Sequence, residues 1–245
     1  ADREALLASM PEHGVGLILD PGCDLESSRR AVELARTYPR VYAAVGWHPE
    51  NCAPYTEDSL DALRAWAREP KVVAIGEIGL DYYWSGEFVA EQVEAFVSQC
   101  RLAARLGLPV AIHTRAAWDD MCRIIGEEAT AAAEAGRRLR GVFHAFSEDA
   151  VTYRKLKACG DFAFGIGGVV TFRKSKLADT VREMELDDIV LETDCPYLTP
   201  APHRGERNES AYVRFVCEKV AELKGLTPGE VAAATTANAK RIFGI

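Results

Sequence analysis

The stretch Lys71-Val-Val-Ala-Ile-Gly-Glu-Ile-Gly-Leu-Asp-Tyr-Tyr83 decides the reading of this chain. Val72 to Ile75 form a short, largely β-branched apolar run, the length and composition of a buried strand. The run ends at Glu77, between Gly76 and Gly79. A carboxylate at the end of a buried strand is costly unless a cation meets it. The glycines let other groups approach closely. One reading of Glu77 is a surface turn; the other is a metal-binding carboxylate at the mouth of a barrel.

Outward from this stretch, strand and helix patterns alternate. Apolar strand segments are expected at 14–20, 41–45, 71–77, 110–113, 141–144, 162–170 and 189–194. Helices are expected at 2–10, 24–38, 56–68, 88–106, 116–125 (followed by an Ala/Glu-rich stretch to Gly136), 149–159, 174–184, 210–224 and from Thr227 onward. Asp24, Thr56 or Asp58, and Thr227 followed by Pro228 are the N-terminal cap signals. Val89, Val93, Phe96, Val97 and Cys100 mark one face of the long helix that Gly107 stops. Strict alternation means a parallel sheet with crossover helices. Seven strands after an opening helix give a (β/α)8 TIM-type barrel, with its first strand upstream of Ala1. An open doubly wound sheet is the alternative. A single domain over residues 1–245 suits this length.

The composition, 48% hydrophobic and 27% charged, is that of an ordinary globular chain. No apolar run reaches the ~18 residues of a membrane span. Seven cysteines, an odd number with no Cys-x-x-Cys, suggest neither a disulfide framework nor a structural zinc site; buried thiols in the cytoplasm are expected. The net charge of −8 argues against a long duplex gripped by a basic face. Nucleic-acid contact would be local: a strand end, a short single strand, or a few phosphates beside a metal.

Polar residues stand at the C-terminal ends of different strands: Glu77, His113, His144 and Asp194. In an α/β barrel that face holds the active site, and closure would aim all four at one axis. Two imidazoles and two carboxylates suit a divalent ion such as Zn²⁺ or Mn²⁺. One carboxylate can bridge two ions ~3.5–4 Å apart.

The stretches Gly76–Tyr82, Ile112-His-Thr-Arg115, Phe143-His-Ala-Phe-Ser147 and Leu191-Glu-Thr-Asp-Cys-Pro-Tyr-Leu198 resemble the TatD family of metal-dependent deoxyribonucleases. So do Arg204-Gly-Glu-Arg-Asn-Glu209 and Asn238-Ala-Lys-Arg-Ile-Phe-Gly244. The resemblance covers nearly the whole chain. It implies two divalent metal ions (Zn, Mg or Mn), with Glu77 bridging them, His113 and His144 completing one site, and Asp194 binding in the other. Glu77 and Asp194 would be the catalytic carboxylates, Asp194 accepting a proton from water. The family's first strand carries a His-x-His pair that has no counterpart in this sequence. Substrate contacts carried over are His48, Arg115, Tyr82, Arg204 and Arg207: imidazole or guanidinium toward phosphate, and the Tyr82 ring toward a base. Gly165 and Gly167 stand where the family often has small polar residues, and Glu148 where it has glycine; these departures bear on substrate preference.

The implied activity is that of a cytoplasmic phosphodiesterase trimming single-stranded DNA ends in the 3′-to-5′ direction, as a monomer or weak oligomer. The alternatives are a deacylase or amidohydrolase acting on an ester or amide, such as D-aminoacyl-tRNA, or a binding protein with a degenerate site.

Overall fold

The structure is a computed structural model that describes residues 2–84 and 86–245. Seven parallel strands alternate with helices, the order of a (β/α)8 TIM-type barrel. Two compact units divide the chain: Leu19–His144 with Lys155–Phe162 and Ile242–Ile245, and Ala1–Ile18 with Ala145–Arg154 and Ala163–Arg241.

The first of these units holds most of β1 (Ile18–Pro21), with β2 (Val41–Val45), β3 (Val72–Asp81), β4 (Val110–Arg115) and β5 (Arg140–Phe143), each beside the next. The first strand expected, at 14–20, is later and shorter than its apolar pattern implies. Gly14 adopts a left-handed conformation (φ 78°) that ends a 3-10 turn at Met10–His13, so the ladder starts only at Ile18. Between the strands run α2 (Leu25–Thr37), α3 (Glu57–Trp66), α4 (Val89–Leu106) and α5 (Trp118–Glu134). Asp24 and Thr56 cap α2 and α3 through reciprocal bonds with Ser27 and Ser59, as their spacing predicts. Gly107 ends α4 with φ 71°.

The other unit holds most of β6 (Asp161–Ile166), β7 (Ile189–Leu191) and the helices α1 (Arg3–Ser9), α7 (Leu177–Glu183), α8 (Val213–Lys224) and most of α9 (Pro228–Phe243). Phe164, Gly165 and Ile166 of β6 pair in parallel with Ile189, Val190 and Leu191. The α9 residue Asn238, 6% exposed, donates its amide to the carbonyls of Leu186 (2.9 Å) and Ile189 (2.8 Å), fixing the entry to β7. Thr227 caps α9: its Oγ1 accepts from Glu230 N, and the Glu230 carboxylate accepts from Thr227 N. The short α6 (Ala150–Ala158) connects β5 to β6.

Among the described residues, no helix is long and apolar enough to cross a membrane. All seven cysteines are free thiols.

Candidate metal centre

The β3 strand is longer than its apolar run. It continues four residues past Glu77 to Asp81, and the glycine-rich segment that reads as a turn is extended backbone. The β4 strand holds it there: Ile78, Gly79, Leu80 and Asp81 pair with Ile112, His113, Thr114 and Arg115. The ladder is irregular between Ile75 and Ile78, and Glu77 lies in that irregularity, with its N–H donated to the Gly22 carbonyl at 2.8 Å.

Three imidazoles surround the Glu77 carboxylate, whose side chain is only 13% exposed. Its Oε1 is 3.2 Å from Nδ1 of His113, 3.5 Å from Nε2 of His48 and 3.8 Å from Nε2 of His144. His113 comes from β4, His144 follows β5, and His48 follows β2. One ligand atom from each of His48, Glu77 and His113 lies within 4.8 Å of the others, the spacing of a group that could hold a metal ion. A carboxylate with imidazoles at this spacing is the hard–borderline donor set of zinc, manganese or a similar divalent ion.

Electrostatics favour the anion at the centre. Burial alone would raise the Glu77 pKa, but the hydrogen bond from His113 and the charges of His144 and His48 hold it well below the usual carboxylate range. Burial would likewise lower His113; hydrogen bonds to Asp81 and Glu77 instead raise it to about 9. The neighbouring Cys23 thiol is pushed up to about 12, first by burial and then by the Glu77 charge.

A buried scaffold positions these groups. Asp81 Oδ2 is 3.0 Å from Nε2 of His113. Two glutamines of α4, seven residues and two turns apart, hold the backbones on either side. Gln92 accepts from Asp81 N and donates to Asp81 O, both at 2.8 Å. Gln99 accepts from Trp47 N at 2.8 Å and donates to Trp47 O at 3.2 Å, next to His48. Both are buried, so the inner face of α4 includes Gln92 and Gln99, whereas Val89, Val93 and Val97 of the expected stripe are only partly buried. The hint available in the sequence is a pair of glutamines at i and i+7 on an otherwise apolar face.

The remaining candidates are placed as follows. Asp194 lies in the turn after β7, not on the strand: β7 ends at Leu191, and the Asp194 carbonyl accepts from Tyr197 N at 2.7 Å. Tyr82 is half-buried and donates to Asp120 Oδ2 at 3.1 Å; burial and that carboxylate raise its pKa to about 12. The exposed rings beside it are Tyr83 and Trp84. Arg115 ends β4 with its guanidinium 3.6 Å from the Tyr83 ring centroid. Arg204 donates to the Thr199 carbonyl (2.9 Å) and lies 3.8 Å over the Phe172 ring, and Arg207 pairs with Asp2 at 2.8 Å. The departure at Gly165 has a local cause: a Cβ there would lie 1.9 Å from Glu192 Oε2, while Glu192 Oε1 accepts from Ala145 N at 2.8 Å.

The family described as TatD related DNase matches residues 1–244. The chain belongs to the TatD family. The metal-dependent hydrolase YabD of Bacillus subtilis (strain 168), itself uncharacterized, is 40% identical over 245 residues, covering 100% of this chain and 93% of that protein. The 3′-5′ ssDNA/RNA exonuclease TatD of Cronobacter sakazakii is 35% identical over 248 residues, covering 99% of this chain and 92% of that protein. The crystal structure of YJJV, a TatD homolog from Escherichia coli K12, superposes with a TM-score of 0.91 at 30% identity, over 100% of this chain and 92% of that one. The chain is therefore a member of a metal-dependent hydrolase family with a TIM-type fold, and the Glu77 cluster is its candidate metal centre.

Proposed function

We propose that this TatD family member is a phosphodiesterase that removes nucleotides from the 3′ end of single-stranded nucleic acid with two divalent metal ions. The observation that carries the reading is the anionic Glu77 carboxylate ringed by His48, His113 and His144. A relative at 35% identity named as a 3′-5′ ssDNA/RNA exonuclease supports the choice of bond and polymer.

Glu77, His113 and His144 are the proposed metal ligands, with Asp194 the second carboxylate on the strength of its motif. Ions held there would polarise the phosphodiester and acidify a water. The chain's own residues do the rest. Asp81 orients the His113 ring, and the α4 glutamines keep the Asp81 and Trp47 backbones in register. His48 presents Nε2 to the centre while its Nδ1 accepts from Glu50 N at 3.3 Å, an orientation open to a phosphate oxygen. Asp194 is assigned the water proton.

The test is hydrolysis of a 3′-labelled single-stranded oligonucleotide by metal-loaded protein, with and without EDTA. Activity should vanish with EDTA and in Glu77→Ala, which also loses metal by elemental analysis. Wild-type rates in Glu77→Ala would reject its role. A protein inert on DNA and RNA that cleaves aminoacyl esters would assign it to the deacylases instead.

A further inference from the structure

We infer that Trp84, backed by Tyr83 and Arg115, is a stacking surface for one unpaired base of the nucleic-acid strand; the inference deepens the nuclease reading and rests on it. Large aromatic side chains are ordinarily drawn into the interior. Here two consecutive ones stand out of it, Tyr83 with 57% and Trp84 with 68% of its surface exposed. They meet edge to face, with centroids 4.9 Å apart at 88°. The Arg115 guanidinium lies 3.6 Å from the Tyr83 centroid and 5.1 Å from that of Trp84. Arg115 thus backs Tyr83, and Trp84 keeps the most open ring.

The surface is built into the candidate metal centre. Asp81 and Arg115 are register partners at the ends of β3 and β4. The Asp81 carboxylate holds His113 through Oδ2 (3.0 Å) and the Tyr83 backbone through Oδ1, which accepts from Tyr83 N at 2.9 Å. One buried carboxylate therefore ties both a proposed metal ligand and the aromatic pair.

An unpaired base fits this chemistry best. It offers an open π-face, whereas a base inside a duplex has both faces covered. The strand's phosphates complement the guanidinium, and a chain of net charge −8 needs such a local cation to meet a polyanion. Stacking of this kind is sequence-tolerant, as end-trimming requires.

The experiment measures binding of metal-loaded, full-length protein to two fluorescent decamers by anisotropy: phosphorothioate-linked decathymidylate, and an abasic strand with the same backbone. Wild type should prefer the base-bearing strand about tenfold. Combined Tyr83→Ala and Trp84→Ala substitution should bring the two within about twofold, and Trp84→Phe should restore most of the preference. Melting curves verify that each variant is folded. A folded double variant that keeps the wild-type preference overturns the inference. So does a wild type that degrades single strands yet shows no preference, which leaves the nuclease reading standing. A protein that neither binds nor cleaves either strand removes both. Concentration-dependent self-association abolished by the double variant, with DNA affinity unchanged, would assign the surface to a protein contact.

Discussion

Nε2 of His113 lies 3.0 Å from Oδ2 of Asp81, while Nδ1 of the same ring lies 3.2 Å from Oε1 of Glu77. Asp81 contributes a side chain only 1% exposed, so its charge is placed there at a cost that the His113 contact offsets. Partners of this kind fix ring orientation and raise ligand basicity, and their loss commonly weakens metal affinity by about 10–100-fold. Asp81→Asn should fold, because it preserves shape, and should bind zinc more weakly by that factor. Chelator-competition titration measures it. Unchanged affinity would mean that Asp81 serves the backbone alone.

Gly79 and Gly165 are both crowded, and should respond differently to a methyl group. At Gly79, φ is +149° and a Cβ would lie 1.9 Å from the His113 carbonyl oxygen, part of the rigid β3–β4 ladder. Gly79→Ala should cost at least ~3 kcal/mol and yield little soluble protein. At Gly165 the obstacle is the flexible end of Glu192. Gly165→Ala should fold with a loss of ~1–2 kcal/mol and a melting point lower by ~2–8 °C. Equal behaviour in thermal melts and soluble yield would refute the distinction.

The same contrast explains what was legible in the sequence. The caps at Asp24, Thr56 and Thr227 are local, each closed within three residues, and they read correctly. The end of β3 did not, because Gly76 and Gly79 signal a turn locally while pairing with β4 keeps the backbone extended to Asp81. Helix α5 likewise runs unbroken to Glu134, through an Ala/Glu-rich stretch whose pattern is weak. Strand-end position pointed to Glu77, His113 and His144, and the structure brings their side chains together. His48, read as a phosphate contact, stands beside Glu77 because β2 and β3 are neighbours. The positioning roles of Asp81, Gln92 and Gln99 do not follow from the sequence, where the glutamine spacing is the sole hint, because tertiary contact decides which ring and backbone atoms they satisfy.

Lys71 supplies a test of a long-range cap. Its ammonium donates to the carbonyls of Ala35 and Tyr38, both at 2.6 Å, and of Pro39 at 3.2 Å, where α2 ends. A cation there meets the negative end of the helix and satisfies carbonyls that lack helical partners. Lys71→Met keeps the aliphatic stem and removes the donors. It should cost ~1–2 kcal/mol in urea denaturation, with no change in the slope against denaturant. A variant as stable as wild type would show that water replaces the ammonium freely.

Asp24 gives a pH-resolved prediction. Its Oδ1 accepts from Ser27 Oγ at 2.6 Å and from Ser27 N at 2.7 Å, and the side-chain bond followed by the backbone one holds its pKa below the ordinary value. Folding therefore favours the ionised form. The contribution is fully present above the unfolded carboxyl's pKa of ~3.9 and is lost as pH falls through the lower folded value. Asp24→Ala should cost ~1 kcal/mol at pH 7, the usual worth of an N-terminal cap. The gap should narrow below pH ~4, as the wild-type carboxyl takes up its proton. Asp24→Asn keeps a neutral acceptor and removes the ionisation, so its smaller deficit at pH 7 isolates the charge, and that deficit should close in acid. Urea titrations at neutral and acidic pH measure both differences; a gap for Asp24→Ala that stays constant into strong acid would show that the ionised carboxylate adds nothing beyond a neutral acceptor.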